Sequence, residues 1–260
     1  MDPAAYHSLV GCGSGAGGAD GGTTAAEVST DGRFPVGADQ RQIALRCWGD
    51  KSPTVVWDAG IGAAGIGWFE HSPIVRELAA HNRVCTYDRA GLGESDAAPR
   101  RRRGLDDAVD DLHGLLQAAQ VPGPYVLVGS SGGGFIVYHY SGRYPDEVAG
   151  LVMLDVPPGH ARVAAAEVPA WDNPSNTEHI DFVAIERQMA LDRLPIPAIP
   201  VTVITASSGL SADPNEQRVW LEGSSHPVQV VLQGGHAIHD DDPAGIRAEI
   251  TKVLERAESN

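Results

Sequence analysis

The chain has little cysteine, no long apolar run and too few basic residues to balance its acids. Its cysteines are Cys12, Cys47 and Cys85. None stands in a CxxC pair, which excludes zinc-ribbon and thioredoxin-like readings. No stretch of about 18 apolar residues occurs, so no transmembrane helix is expected. Only 19 Lys and Arg stand against 34 Asp and Glu, a formal net charge of −15. Such a surface repels phosphate backbones and sets nucleic acid aside as a partner. His71, His81 and the acidic run Asp240 to Asp242 lack metal-ligand spacing, so neither a metal nor an organic cofactor is expected. The one basic cluster, Arg100 to Arg103, is followed at once by Asp106, Asp107, Asp110 and Asp111. It reads as a solvated loop before a helix whose first turn carries negative charge, which suits the helix dipole.

What is present suffices for one large domain. The chain has 260 residues, 42% apolar and 20% charged, enough to bury a sizeable core. Residues 11–32 are rich in Gly, Ala, Ser and Thr and hold almost no large apolar side chains. Burial there cannot offset the ordering entropy, so residues 1–32 read as a flexible tether. The domain then runs over 33–260. Within the tether, Leu9-Val10-Gly11-Cys12 resembles the lipobox of bacterial lipoproteins, which implies a lipid anchor on Cys12 and export. Met1 to Ser8 hold no basic n-region and no apolar h-region. The competing reading is a chance match in a cytoplasmic protein.

From Phe34 onward, short β-rich runs alternate with helix-like stretches, the pattern of βα units on a mostly parallel sheet. Strands are expected at Gln42 to Cys47, Thr54 to Trp57, Arg83 to Tyr87, Tyr125 to Val128, Gly150 to Leu154, Val201 to Thr205 and Val228 to Leu232. Phe34 to Val36 is an eighth candidate that opens the sheet. Helices are expected at Ile74 to His81, Leu105 to Ala119, Phe135 to Tyr144 and Ala244 to Arg256. Residues 157–198 break the rhythm with several prolines and a polar stretch, and read as an insertion forming a short lid.

The central signal is Tyr125-Val126-Leu127-Val128-Gly129-Ser130-Ser131-Gly132-Gly133-Gly134-Phe135. An apolar strand runs into a G-x-S-x-G and then a helix. Such a serine occupies a sharp strand-to-helix turn, where glycines leave room for the crossing backbones. Ser131 stands at the motif centre and Ser130 before it. The N–H of Gly132 then lies at a helix N-terminus, where it can stabilise an oxyanion.

Three further segments join this one. Val55-Val56-Trp57-Asp58-Ala59-Gly60-Ile61-Gly62 is similar to the oxyanion loop of the α/β-hydrolase superfamily, with Ala59 replacing the usual His. Tyr87-Asp88-Arg89-Ala90-Gly91-Leu92-Gly93-Glu94-Ser95 resembles its D-x-x-G-x-G-x-S turn, and Gly235-His236-Ala237-Ile238-His239 its terminal G-H segment. The resemblance covers nearly everything from Phe34 to Arg256. It implies an α/β fold with a mostly parallel sheet of eight or seven strands, flanked by helices.

A serine hydroxyl needs a base that titrates near the working pH. The resemblance assigns that part to His236, with His239 as rival. A loop histidine beside Asp240 and Asp241 reads instead as a surface residue. The acid is open between Asp155, straight after an apolar strand, and Asp213, with the polar insertion residues Glu178 and Asp181 as more distant choices. After Val201 to Thr205, where the family usually carries the acid, this chain has Ser207-Ser208-Gly209. Matching Ala59-Gly60-Ile61 to the family's H-G-x gives the Ile61 N–H as second oxyanion donor. The same fold makes the strands bearing Cys47 and Cys85 antiparallel neighbours. A Cys47–Cys85 disulfide follows from the resemblance, and with it an oxidising compartment. The alternative is two buried free thiols.

These residues imply acyl transfer on a small-molecule ester or related acyl substrate. Lactone, thioester and small-peptide hydrolysis use the same triad, and a cofactor-free lyase or a non-catalytic binding protein can share the scaffold. Trp68, Phe69, Trp171 and Phe182 fit either an acyl pocket or the core.

Overall fold

The computed structural model describes residues 27–158, 168–209 and 213–259. Cys12 and most of the expected tether lie outside these residues. The strands are β1 (Val28–Val36), β2 (Arg41–Trp48), β3 (Thr54–Asp58), β4 (Arg83–Tyr87), β5 (Tyr125–Ser130), β6 (Val148–Leu154), β7 (Pro200–Ser208) and β8 (His226–Gly235). They form one eight-stranded sheet in the order β1-β2-β4-β3-β5-β6-β7-β8. β2 runs antiparallel to both its neighbours, and every pairing from β4 to β8 is parallel.

The helices are α1 (Gly65–Phe69), α2 (Pro73–Ala79), α3 (Leu105–Ala118), α4 (Gly133–Arg143), α5 (Phe182–Leu191), α6 (Ile238–Asp241) and α7 (Pro243–Glu258). They cover the sheet on both sides. Leu112 and Leu115 of α3 and Ile136 of α4 belong to one apolar layer, and Ile74 of α2 with Ile246 and Ile250 of α7 to the other. β3 and β5 are buried along their whole length. Strands covered on both faces read as continuous apolar runs, which made these visible in the sequence. α3 buries Leu105, Ala108, Val109, Leu112, Leu115 and Leu116, a stripe at helical spacing. Each fully buried leucine of this kind contributes roughly 1.5–3 kcal/mol.

Two expectations change. The sheet opens at Val28, inside the stretch read as tether to residue 32. β1 is an edge strand held by its ladder with β2, from Val28 opposite Trp48 to Val36 opposite Arg41. Most of its side chains are exposed or half-buried, so it carries no apolar signature. Arg103 is not solvated either. It is buried, donates to the Glu178 carbonyl at 3.1 Å and pairs with Asp111. Arg101 and Arg102 remain exposed. Between β6 and β7 the inserted stretch contains α5, whose N-cap Asp181 accepts from the Ala184 N–H at 2.9 Å.

Candidate active site

The parallel strands end on one edge of the sheet, and Ser131, Asp155 and His236 each follow directly on one of them. Ser130 at the end of β5 is level with Leu154 at the end of β6, and Ser208 of β7 is level with Gly235 of β8. Ser131 and Asp155 both have left-handed backbones, at φ +50° and +42°. Such conformations cost about 1–3 kcal/mol for a non-glycine residue and persist only where surroundings impose them. Here the sheet does so. The Ser131 N–H donates to the Leu154 carbonyl at 2.9 Å, and the Asp155 N–H to the Ile204 carbonyl at 2.8 Å.

The glycines around Ser131 are steric requirements. A Cβ on Gly129 would stand 2.5 Å from Gly134 Cα, and one on Gly133 would stand 2.4 Å from the Ala59 carbonyl oxygen. The turn therefore packs backbone on backbone, both within itself and against the loop after β3. Ser130 is occupied elsewhere, since its Oγ accepts from Trp57 Nε1 at 2.9 Å. That leaves Ser131, 8% exposed, at the motif centre.

His236 Nδ1 lies 2.7 Å from Asp155 Oδ2. The carboxylate is wholly buried and the imidazole one-third exposed. Asp155 Oδ1 also accepts from Gln217 Nε2 at 3.1 Å and from the Ala206 N–H at 3.3 Å. These contacts fix the orientation of the carboxyl group. Gln217 had no signal in the sequence; it comes from the 3₁₀ helix Pro214–Leu221 beyond β7. Asp213, the other candidate acid, caps that helix by accepting from the Asn215 N–H at 2.9 Å. Ser131 Oγ and the His236 ring share the sheet edge but are not hydrogen-bonded. Such contacts are often long before substrate binds.

Gly60 of the loop after β3 lies against Ser131, where a Cβ on Gly60 would be 3.5 Å from the serine Cβ. The next side chain, Ile61, covers Gly132 so closely that a Cβ there would meet Ile61 Cγ1 at 2.4 Å. Phe182 stands over the same glycine, at 3.4 Å from that Cβ. Of the four aromatics considered for an acyl pocket, Phe182 thus borders the candidate nucleophile. Phe69 is buried in the core, its ring centroid 4.4 Å from that of Trp57 with the planes tilted by 34°. Trp68 and Phe69 line a hollow of about 240 Å³ with His239 and His71.

His239 is not the surface residue expected. It is buried in α6, with its ring centroid 4.6 Å from that of Trp68, and burial lowers its pKa. The Cys47–Cys85 pair is bridged, with Cα atoms 4.0 Å apart on facing positions of β2 and β4. Among the described residues there is no cluster of three or more His, Cys, Asp or Glu able to hold a metal ion, and no helix is long and apolar enough to cross a membrane.

Comparison with known proteins agrees with this architecture. The family model described as alpha/beta hydrolase fold matches residues 53–192, just over half of the chain. Over 79% of its length the chain is 26% identical to the uncharacterized protein YqjL of Bacillus subtilis, covering 85% of that protein. Over 51% of its length it is 31% identical to a pimeloyl-[acyl-carrier protein] methyl ester esterase of Chromobacterium violaceum, spanning 53% of it. Among solved structures, an enol-lactonase from Burkholderia xenovorans superposes with a TM-score of 0.66 at 18% identity, over 86% of this chain and 99% of that one. A thermophilic esterase from Thermogutta terrifontis does so with a TM-score of 0.68 at 18% identity, over 88% and 99%. At that identity the likeness concerns the fold alone.

Proposed function

The chain belongs to the α/β-hydrolase fold family, and from that premise we propose that it is a serine hydrolase cleaving a carboxylic ester or related acyl substrate through an acyl-enzyme. The observation that carries this reading is the 2.7 Å contact between His236 and buried Asp155, on the same sheet edge as a serine at φ +50°. His236 Nε2 takes the Ser131 proton as Oγ attacks the substrate carbonyl. Asp155 fixes the proton on Nδ1 and stabilises the imidazolium that forms. The N–H groups of Ile61 and Gly132 donate to the oxyanion of the tetrahedral intermediate. His236 then protonates the departing alkoxide, and water repeats the sequence on the acyl-enzyme. Ester hydrolysis is favoured over amide hydrolysis because an alkoxide needs less help to leave than an amide nitrogen. The esterase relative in Chromobacterium violaceum, named for a methyl ester, supports the same class.

The test is fluorophosphonate labelling joined to a screen of short-chain p-nitrophenyl esters, lactones and amides. Wild type is expected to label at Ser131 and to turn over esters, and Ser131→Ala to do neither. A folded wild-type sample that fails to label points to a non-catalytic binding protein. We also propose that the protein is exported, supported by the Cys47–Cys85 bridge, since such bonds persist in oxidising compartments.

A further inference from the structure

Arg89 and Glu178 belong to neither the triad nor the oxyanion donors, yet both are buried beside them. The Arg89 guanidinium has five N–H donors, and all five are used. Nε donates to Glu178 Oε2 at 2.6 Å and Nη2 to Glu178 Oε1 at 3.3 Å. Nη1 donates to Asp58 Oδ1 at 2.5 Å and to the Ala59 carbonyl at 2.7 Å, and Nη2 also to the Gly60 carbonyl at 2.7 Å. Glu178 Oε1 in turn accepts from the Gly62 N–H at 2.9 Å. Asp58 is held from its other side by the Tyr87 hydroxyl at 2.8 Å.

These bonds enclose Ile61. The carbonyls of Ala59 and Gly60 before it and the N–H of Gly62 after it are all tied to one Arg–Glu pair. Backbone bonds on both sides of a peptide unit set the direction of its N–H. Glu178 is supplied by the insertion between β6 and β7, 1% exposed. Its segment is fixed to the body by the Arg103 N–H on the His179 carbonyl at 2.9 Å and by Arg103 Nη1 on the Glu178 carbonyl at 3.1 Å. Close packing reinforces this, since a Cβ on Gly91 would stand 2.1 Å from the Thr177 carbonyl oxygen.

We infer that Glu178, acting with Arg89, is a positioning residue that aims the Ile61 N–H at the oxyanion, so that the insertion braces the catalytic machinery as well as covering it. The inference rests on the acyl-transfer reading above.

Glu178→Gln tests it with little change of volume. The site needs two acceptors, one for Gly62 and one for Arg89, and an amide offers one acceptor and one donor. Whichever way it turns, a donor faces a donor. kcat on a p-nitrophenyl ester is expected to fall roughly 10- to 100-fold, less than the roughly 10²- to 10³-fold cost of removing one oxyanion donor outright because the misaimed N–H remains, with KM changed less than about twofold. Glu178→Ala should lose at least as much. Rates are referred to sites titrated to completion with fluorophosphonate, so partial unfolding lowers the titre and not kcat. Arg102→Ala, which breaks the exposed Arg102–Asp181 pair, should keep wild-type kcat. A Glu178→Gln enzyme with wild-type kcat per titrated site, or with the loss confined to KM, overturns the inference. Wild-type enzyme that neither labels nor turns over ester instead overturns the acyl-transfer reading.

Discussion

Changing Asp155 to Asn removes one charge and leaves the shape of the side chain almost untouched. Asp155 is wholly buried, with Oδ2 2.7 Å from His236 Nδ1 and Oδ1 accepting from Gln217 and Ala206. If the new amide nitrogen faces His236, it donates to Nδ1 and drives the ring proton to Nε2, where the base can no longer accept the serine proton. If it turns the other way, it meets the Gln217 and Ala206 N–H groups donor to donor. By analogy with other serine hydrolases, the wrong tautomer costs about 10⁴ in kcat, which is about 5.5 kcal/mol at 1.36 kcal/mol per decade. Buried unpaired donors would lower stability by only about 1–3 kcal/mol, so most of the activity loss must come from chemistry. The assay is kcat for a short-chain p-nitrophenyl ester at neutral pH, with Ser131→Ala as the floor and Asp213→Asn as the comparison. Asp213 caps a 3₁₀ helix, and its amide variant is expected within about twofold of wild type, the usual scale of a surface change. Asp155→Asn retaining more than about a tenth of wild-type kcat, or Asp213→Asn collapsing to the floor, refutes the assignment of the acid.

Gly209→Ala would bring a Cβ within 2.1 Å of Asp155 Oδ2. The carboxylate must move, so kcat should drop about tenfold or more, given the sensitivity of such sites to displacements near 1 Å; unchanged steady-state kinetics would show that Asp155 is not under that constraint. Burial lowers the pKa of His239 below its usual 6.5, so the unfolded chain takes up this proton more readily than the folded one. Its stabilisation is complete above about pH 6.5 and is lost as pH falls through the depressed folded value. His239→Phe, which keeps a ring against Trp68, should therefore show a smaller Tm drop than wild type between about pH 7.5 and pH 5. Parallel Tm curves for the two proteins would contradict this. The Cys47–Cys85 bridge closes a separation of 38 residues, which in the loop-entropy picture is worth about 4 kcal/mol. The Cys47→Ala, Cys85→Ala double variant should lose up to that amount in urea unfolding, and native protein alkylated without reductant should label neither thiol; labelling of both removes the support for export.

The strands that hold the site were legible because burial on both faces leaves an unbroken apolar run, as in Val126-Leu127-Val128 and Leu151-Val152-Met153-Leu154. Ser131 was legible because close backbone crossing demands glycine at fixed offsets. Less was visible where the fold relies on backbone or on distant side chains. β1 pairs through its ladder with mostly exposed side chains, and α1 is five residues with two glycines, so neither has a period to read. Arg103 looked like one of four equivalent arginines, and its partners Asp111 and Glu178 lie 8 and 75 positions away. Gln217 faces the same obstacle, and Glu178, considered only as a more distant candidate acid, gave no sign of its contact with Arg89. A buried polar side chain is explained by partners that only the tertiary fold supplies.

In the proposed triad, Ser131 and Asp155 are held differently from His236. Ser131 and Asp155 each continue the hydrogen bonding of the sheet by one more N–H before the chain turns, on adjacent central strands. Their relative position is therefore set by strand register, and the strain at each φ is borne by the sheet. His236 follows β8, the edge strand, whose residues are exposed or half-buried along their length. It reaches back across β7 to Asp155, and one-third of its side chain is open to solvent. A base that must accept a proton from the nucleophile and release it to a leaving group gains from that freedom, provided one nitrogen stays tethered. The Asp155 contact supplies the tether, with Gln217 and Ala206 holding the carboxylate from behind. In the proposed triad, the fixed nucleophile and acid and the tethered, partly exposed base reflect strand order: β5 and β6 lie inside the sheet, and β8 closes its edge.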